Sequence, residues 1–385
     1  MSAADGFAAD RVRIAHLGSK GIPSKGGTER VVEAITRRQA AAGHSVTVYG
    51  SRRASASGMV AGVRVLSLPT VAHKYMGPVL LQVAGAAHAL ARGDYDVVHL
   101  HGAENGFVVP LLRLCYPVVT TNHGPAYLRD KWSGPAKALI RALDGLSVRL
   151  ATRATAVSAV QAAELARRYG REVVAIPNGV DLDEPADEEG AERLLAGLGL
   201  RRGEYLLFAA ARVDPTKGCH TLIEALGRLP EPPPLLVVGD LFHAPGYEER
   251  LRKLAHDLPV SFVPRLDAKP VVLGLLRGAR LFVFPSEVEA MSMMLLEALC
   301  QEAPTLASDI PENTSILPPG FPVFRAGDVD ALAAGLTELL AADPEARRHE
   351  SAAARDWVAA RYGWDEIARS YDVVYREAWA ARTSL

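Results

Sequence analysis

The chain has 385 residues, 49% hydrophobic and 23% charged, with 43 Lys plus Arg against 44 Asp plus Glu. That length predicts two domains, each able to bury a core, and a formal net charge of -1 excludes the long-range basic field that drives nucleic-acid binding. Three distant cysteines (Cys115, Cys219, Cys300), no run of about 18 apolar residues and no signal-peptide pattern in residues 1–10 predict a soluble chain in a reducing cytoplasm, with a frayed start.

Apolar runs of strand length alternate with amphipathic stretches, which predicts βαβ units. In chain order, strands are expected at 12–17, 46–49, 63–66, 97–100, 118–121, 154–157 and 173–176, with helices at 29–42, 79–91 and 136–150. The pattern breaks at PNGVDLDEPADEEG (177–190), a proline-, glycine- and acid-rich linker. It restarts with YLLFAAARV at Tyr205, followed by strands at 235–238, 260–263, 281–284 and 305–307. A last helix, 364–379, carries Trp364, Ile367, Tyr371, Val374, Tyr375 and Trp379 at helical spacing. The expected class is α/β, with two Rossmann-like parallel-sheet domains facing across a cleft. Their expected limits are 1–180 and 181–363, with helix 364–385 crossing back to the first domain. Ligands of such folds bind outside the carboxyl ends of strands, so chemistry is sought in the loops after them.

The first such loop, GSKGIPSKGGTER, has Gly18, Gly21, Gly26 and Gly27 before a helix. Glycines there either let a phosphate or sugar approach the backbone and the helix start, or simply make a flexible turn. The spacing is not G-x-G-x-x-G, so a nicotinamide site is not indicated. In TTNHGPAY, His123 follows a strand directly and is a candidate cleft residue or a structural histidine. His99 and His101, in VVHLHG, share one strand face; with no third ligand spaced for a metal, core or cleft packing is expected. In ARVDPTKGCHTLIEAL, Arg212 and Lys217 flank a tight turn at a helix start, where two cations suit a diphosphate. In SEVEAMSMMLLEAL, Glu289 lies in a loop and Glu297 in the next helix, on either side of the amides of Met291, Ser292 and Met293. Carboxylates accept from vicinal hydroxyls and a helix start attracts an anion, a pattern that fits a nucleotide sugar.

GIPSKGGTERVVE, TTNHG, IPNGVD, RVDPTKG and EAMSMMLLEA, in this order over nearly the whole chain, resemble retaining glycosyltransferases of the GT-B fold, specifically glycosyltransferase family 4. The resemblance implies that Arg212 and Lys217 stabilise the departing nucleoside diphosphate. It implies that Glu289 holds sugar hydroxyls, Glu297 the ribose hydroxyls, that Gly26 and Gly27 lie against the donor, and that His123 contacts the sugar near the reacting centre. Asn178 and Asp181 are expected to be structural. Where family members usually have glycine, this chain has Ala290 and Ser292, which bears on the room for the sugar.

The expected reaction moves a sugar from a nucleotide sugar (UDP-, GDP- or dTDP-linked) to an acceptor hydroxyl on a glycan, a lipid-linked or a small molecule, by front-face transfer. No metal and no other cofactor is expected, because Arg212, Lys217 and the helix start suffice for the leaving group. The D-x-D triplets at Asp94/Asp96, Asp181/Asp183 and Asp328/Asp330 stand before a strand, in the linker and at a helix start, and are read as decoys. The basic stretch from Arg129, with Trp132, Lys137, Arg141 and Arg149, allows peripheral contact with an anionic membrane; alternatively Leu139, Leu143, Leu146 and Leu150 form one face buried on the sheet. Acceptor choice is expected in loops 70–78 and 126–133. The competing functions are a nucleotide-sugar epimerase or hydrolase of the same fold, and a noncatalytic nucleotide-sugar-binding subunit.

Overall fold

The structure is a computed structural model that describes residues 11–23, 26–73, 76–125, 127, 133–241 and 245–383. The expected frayed start, Ser24 and Lys25 of the glycine loop, parts of loops 70–78 and 126–133, and Arg129 and Trp132 of the basic stretch lie outside the described residues. Two compact units are present. One comprises the described residues up to Gly179 together with those from Trp364 onward, and the other is Val180–Gly363.

The first unit contains an eight-stranded sheet of β1 (Arg13–Leu17), β2 (Ser45–Ser51), β3 (Gly58–Val60), β4 (Val63–Leu68), β5 (Val97–His101), β6 (Val118–Asn122), β7 (Arg153–Ala156) and β8 (Val174–Ala175). Its order is β3-β4-β2-β1-β5-β6-β7-β8. All pairings are parallel except β3 with β4, an antiparallel edge that apolar runs did not foretell because GMV is mostly exposed. The other strands are the expected apolar runs. The second unit has β9 (Leu206–Arg212), β10 (Leu235–Asp240), β11 (Val260–Val263), β12 (Leu281–Phe284), β13 (Thr305–Ser308) and β14 (Val323–Phe324), in the order β11-β10-β9-β12-β13-β14 and parallel throughout.

In both sheets the strand order reverses direction beside the first strand, between β1 and β5 and between β9 and β12. Loops leave these neighbours toward opposite faces, which opens a crevice at their carboxyl ends. The backbone closes in tightly there. A Cβ built on Gly18, after β1, would stand 2.0 Å from the carbonyl oxygen of His101 in β5. One on Gly218 would stand 2.0 Å from the carbonyl oxygen of Pro285, after β12. Both glycines have positive φ, +98° and +67°, a region that other L-residues adopt at a cost.

Parallel strands covered on both faces read as continuous apolar runs. On one face of the first sheet, Leu17, Val98, Leu100 and Val118 pack against Ala86 and Ala89 of the helix Met76–Arg92. In the second unit, Leu206, Val237 and Val283 pack with Leu222, Ile223, Leu332 and Leu336. The helix Trp364–Thr383 packs on the first sheet through Trp364, Ile367, Tyr371, Val374 and Tyr375, all buried, and its stripe ends on Ala378 rather than the half-buried Trp379.

Helix Gly134–Leu150 turns Ile140, Asp144, Ser147 and Val148 inward. The expectation of a buried leucine face is corrected: Leu139 is 61% and Leu150 40% exposed, while Leu143 and Leu146 are half-buried. The cause is a backbone approach that admits only small residues, since a Cβ on Gly106 would lie 2.1 Å from the carbonyl oxygen of Leu143. Among the described residues no helix is long and apolar enough to cross a membrane.

Replacing Gly18 by alanine combines unfavourable φ with a clash against β5, so a loss of about 2 kcal/mol or more is expected in urea unfolding. A loss below about 0.5 kcal/mol, within the ordinary range of surface changes, would show that the β1 loop can move away.

Candidate functional site

In the second unit, β9 ends at the exposed Arg212, and Asp214 then caps a short turn by accepting from Thr216 N. This turn is strapped to the loop after β12, because Thr216 O accepts from Glu287 N at 2.8 Å and Val288 N at 3.3 Å. The strap and the Gly218–Pro285 approach bring Lys217 to Glu289, with Nζ donating to Oε1 at 2.7 Å. Their side chains are 22% and 11% exposed. The sequence placed Lys217 on a phosphate and Glu289 on sugar hydroxyls; in the chain itself each has the other as partner. Ser292 caps helix Met293–Cys300 by accepting from Leu295 N at 3.2 Å, with Met291 and Ser292 buried beside it.

Glu297 lies on that helix, 3% exposed, and Lys269 Nζ donates to its Oε1 at 3.0 Å. Lys269 also pairs with Glu184. Lys269 went unnoticed in the sequence because positions 184, 269 and 297 share no spacing signal; they meet only when the linker reaches the helix Lys269–Gly278. Two of the three D-x-D triplets have other partners: Asp94 and Asp96 pair with Arg13, Asp328 caps a helix by accepting from Ala331 N, and Asp330 pairs with Arg228.

In the first unit, Gly26 is the N-cap of helix Gly27–Ala41. A Cβ on Gly27 would meet nothing within 4 Å among the described residues. His123 directly follows β6. Asn122 fixes the turn after it, since Asn122 Oδ1 accepts from Gly124 N at 2.9 Å and from Gln161 Nε2 at 2.6 Å, while its Nδ2 donates to Asp144 Oδ1 at 2.6 Å. Tyr127 continues this loop into a basic and aromatic pocket with Lys137, Arg141, Arg168 and Tyr169.

His123 Nε2 lies 3.0 Å from His101 Nδ1, and His101 Nε2 3.0 Å from His16 Nδ1. His16, His99 and His101 are fully buried, with ligating atoms within 4.8 Å of one another. The third histidine that the sequence did not supply for His99 and His101 is therefore His16, the register partner of His99 across β1 and β5. Every ring nitrogen of the three has a hydrogen-bond partner among His123, Gln39, Tyr375, Thr121 and the rings themselves. A metal ion would have to break these bonds, so the cluster fits a hydrogen-bonded core better than a metal centre. Burial lowers the ring pKa of His16 and His123 to about 4, and burial together with neighbouring rings holds His99 and His101 well below the usual imidazole range.

Two family models match this chain, "Glycosyltransferase Family 4" over residues 25–184 and "Glycosyl transferases group 1" over 191–357. A D-inositol 3-phosphate glycosyltransferase of Xylanimonas cellulosilytica is 30% identical over 96% of both chains. The chain belongs to glycosyltransferase family 4. A phosphatidyl-myo-inositol mannosyltransferase of Mycobacterium leprae is 29% identical, over 82% of this chain and 83% of that one. Among solved structures, sucrose-phosphate synthase from Thermosynechococcus elongatus has TM-score 0.82 at 22% identity, covering 96% of this family 4 chain and 100% of its own. Anabaena HepE, solved with UDP and glucose, has TM-score 0.73 at 19% identity, covering 94% and 99%. The fold is GT-B, two parallel-sheet α/β domains, and the activity class is glycosyl transfer.

Asp144 was not among the sequence candidates, although it is the one acid in a leucine-rich helix. Burial pushes its carboxyl up to about 6, against the lowering effect of the Tyr169 hydrogen bond. The native state therefore holds this proton more tightly than the unfolded chain, and stability falls as pH rises from about 4 to about 6, then levels. Relative to Asp144→Asn, the wild type should lose up to about 3 kcal/mol over that window in urea titrations. A constant difference from pH 4 to 7 would mean that Asp144 is ionised throughout.

Proposed function

We propose that the chain transfers a glycosyl group from a nucleotide sugar to an acceptor hydroxyl, with retention of configuration and without a metal. The observation that carries this reading is the Lys217–Glu289 pair, strapped at the crevice where β9 and β12 diverge, one turn before the Ser292-capped helix start. Lys217 and Arg212 are assigned to the leaving diphosphate, which gains most negative charge in the transition state. Glu289 is assigned to sugar hydroxyls, the amides from Met291 to Met293 to phosphate and Glu297 to ribose, oriented by Lys269. In the first unit, Gly26 and Gly27 are assigned to lie against the donor, Gly27 with open space at its Cβ position among the described residues and Gly26 beside the Glu29 carboxylate, and His123 to contact the sugar.

Family members of this kind are retaining, and no carboxylate of these motifs is an evident nucleophile on the far face of the sugar. The reading is therefore front-face transfer, in which the donor phosphate helps to take the acceptor proton. UDP-glucose is the first donor to test, since HepE was also solved with UDP-glucose. The pocket of Lys137, Arg141 and Arg168, and relatives named for inositol phosphate and phosphatidylinositol, support an acceptor with an anionic group.

With donor and acceptor established by chromatography, Lys217→Ala should lower kcat by about a hundredfold or more while acceptor KM changes little. A loss confined to KM would remove Lys217 from the reacting centre. Turnover should survive EDTA; loss restored by Mn²⁺ would overturn the metal-free reading. Without acceptor, slow release of nucleoside diphosphate is expected, whereas an epimerised nucleotide sugar would favour an epimerase.

A further inference from the structure

A polar stripe crosses the buried face of the first sheet near the carboxyl ends of its strands. His16 and His99 are register partners, as are His101 with Thr121 and Thr121 with Thr155, so their side chains share a face. Gln39 of helix Gly27–Ala41 and Tyr375 of helix Trp364–Thr383 close over it.

The stripe forms an unbroken run of hydrogen bonds. From one end, Thr155 Oγ1 lies 3.1 Å from the carbonyl oxygen of Thr120, then 2.7 Å from Thr121 Oγ1. Thr121 Oγ1 lies 2.7 Å from His99 Nε2, and His99 Nδ1 2.8 Å from the Tyr375 hydroxyl. Gln39 Nε2 lies 3.1 Å from that hydroxyl, and Gln39 Oε1 2.9 Å from His16 Nε2. The run then continues through His16 and His101 to His123.

Each hydroxyl and each neutral imidazole has one proton to donate, so the direction of the whole run follows from its end. A carbonyl oxygen only accepts, hence Thr155 donates to it and accepts from Thr121. Thr121 has then spent its proton on Thr155 and accepts from His99 Nε2–H, with its second lone pair left to the Tyr371 hydroxyl at 3.4 Å, which leaves His99 Nδ1 to accept from Tyr375. Tyr375 must accept from the Gln39 amide, so Gln39 turns Oε1 to His16, as the structure has it. His16 donates from Nε2 and accepts at Nδ1 from His101 Nε2–H. His101 Nδ1 in turn accepts from His123 Nε2–H.

We propose that this run holds His123 as its Nε2–H tautomer, so that Nδ1 meets the ligand as a hydrogen-bond acceptor, with His101, His16 and Gln39 as positioning residues. The proposal rests on the reading of His123 as a sugar contact. It narrows that contact to a group that can donate, a sugar or acceptor hydroxyl, and excludes a phosphate oxygen of the leaving group. The run is not a proton wire. A proton taken at Nδ1 could displace protons inward through His101 and His16, but it would stop at Gln39 Oε1, an amide oxygen far less basic than imidazole. Burial keeps the rings neutral, in agreement with the single proton each is given. His123 therefore orients a hydroxyl without deprotonating it, which leaves the acceptor proton to the donor phosphate.

The test is long-range ¹H–¹⁵N correlation on the full chain, ¹⁵N-labelled at histidine, near neutral pH. Pyrrole-like Nε2 and pyridine-like Nδ1 shifts are expected for His16, His99, His101 and His123. Through-bond nitrogen–nitrogen couplings should link His123 Nε2 with His101 Nδ1 and His101 Nε2 with His16 Nδ1. A proton on Nδ1 of His101 or His123, or displacement of these protons by added Zn²⁺, would overturn the proposal. Gln39→Leu, which removes the acceptor for His16, should let His123 populate the Nδ1–H form and lower kcat about ten- to a hundredfold, the usual loss on removing an outer partner that orients a working side chain. The affinity for UDP should stay unchanged. Should Gln39→Leu not fold, the wild-type spectrum decides alone. The expected tautomers in a protein that transfers no sugar would defeat the transferase reading only, and an active transferase with His123 as Nδ1–H would defeat only this one.

Discussion

Two strands of a parallel sheet that send their loops to opposite faces leave a gap that only backbone can fill, and both units are built around that constraint. Gly18 against the His101 carbonyl and Gly218 against the Pro285 carbonyl are the same solution found twice. Once the backbone is that close, the side chains on either side of the gap are committed. In the second unit they are a lysine and a glutamate, and in the first a pair of histidines. The chemistry assigned to the chain grows from these positions.

The two gaps treat charge differently. Lys217 and Glu289 keep opposite charges in contact and part-exposed, each neutralised by the other. His16, His99 and His101 of the first unit are buried and take the other course, discarding charge and satisfying each nitrogen by a neutral bond. A near-neutral total, with 43 basic against 44 acidic residues, is compatible with an anionic ligand because a few cations in place are enough.

Most of the fold was legible because it depends on local pattern. Parallel strands covered on both faces appear as apolar runs, and RIAHL, VVHLH and LFVF were each read as strands on that basis. The edge strand GMV escaped because nothing covers it with a helix or a second sheet face. Motif residues close in sequence to a strand end, such as Lys217 and Glu289, could be nominated by position. What escaped were partners supplied from afar: Lys269 for Glu297, and His16, Gln39 and Tyr375 for the VVHLH histidines. A histidine within RIAHL was the visible hint, since an apolar strand seldom takes an imidazole without a partner to receive it.

Helix Trp364–Thr383 gives Tyr371 and Tyr375 to a sheet whose strands end before residue 180. On a ribosome, therefore, the unit begun first is the one finished last. Roughly 180 residues of the second unit must be made in between, on the order of ten to forty seconds at ordinary elongation rates. During that interval His99 faces its position without its phenolic partner, and the second unit can close first.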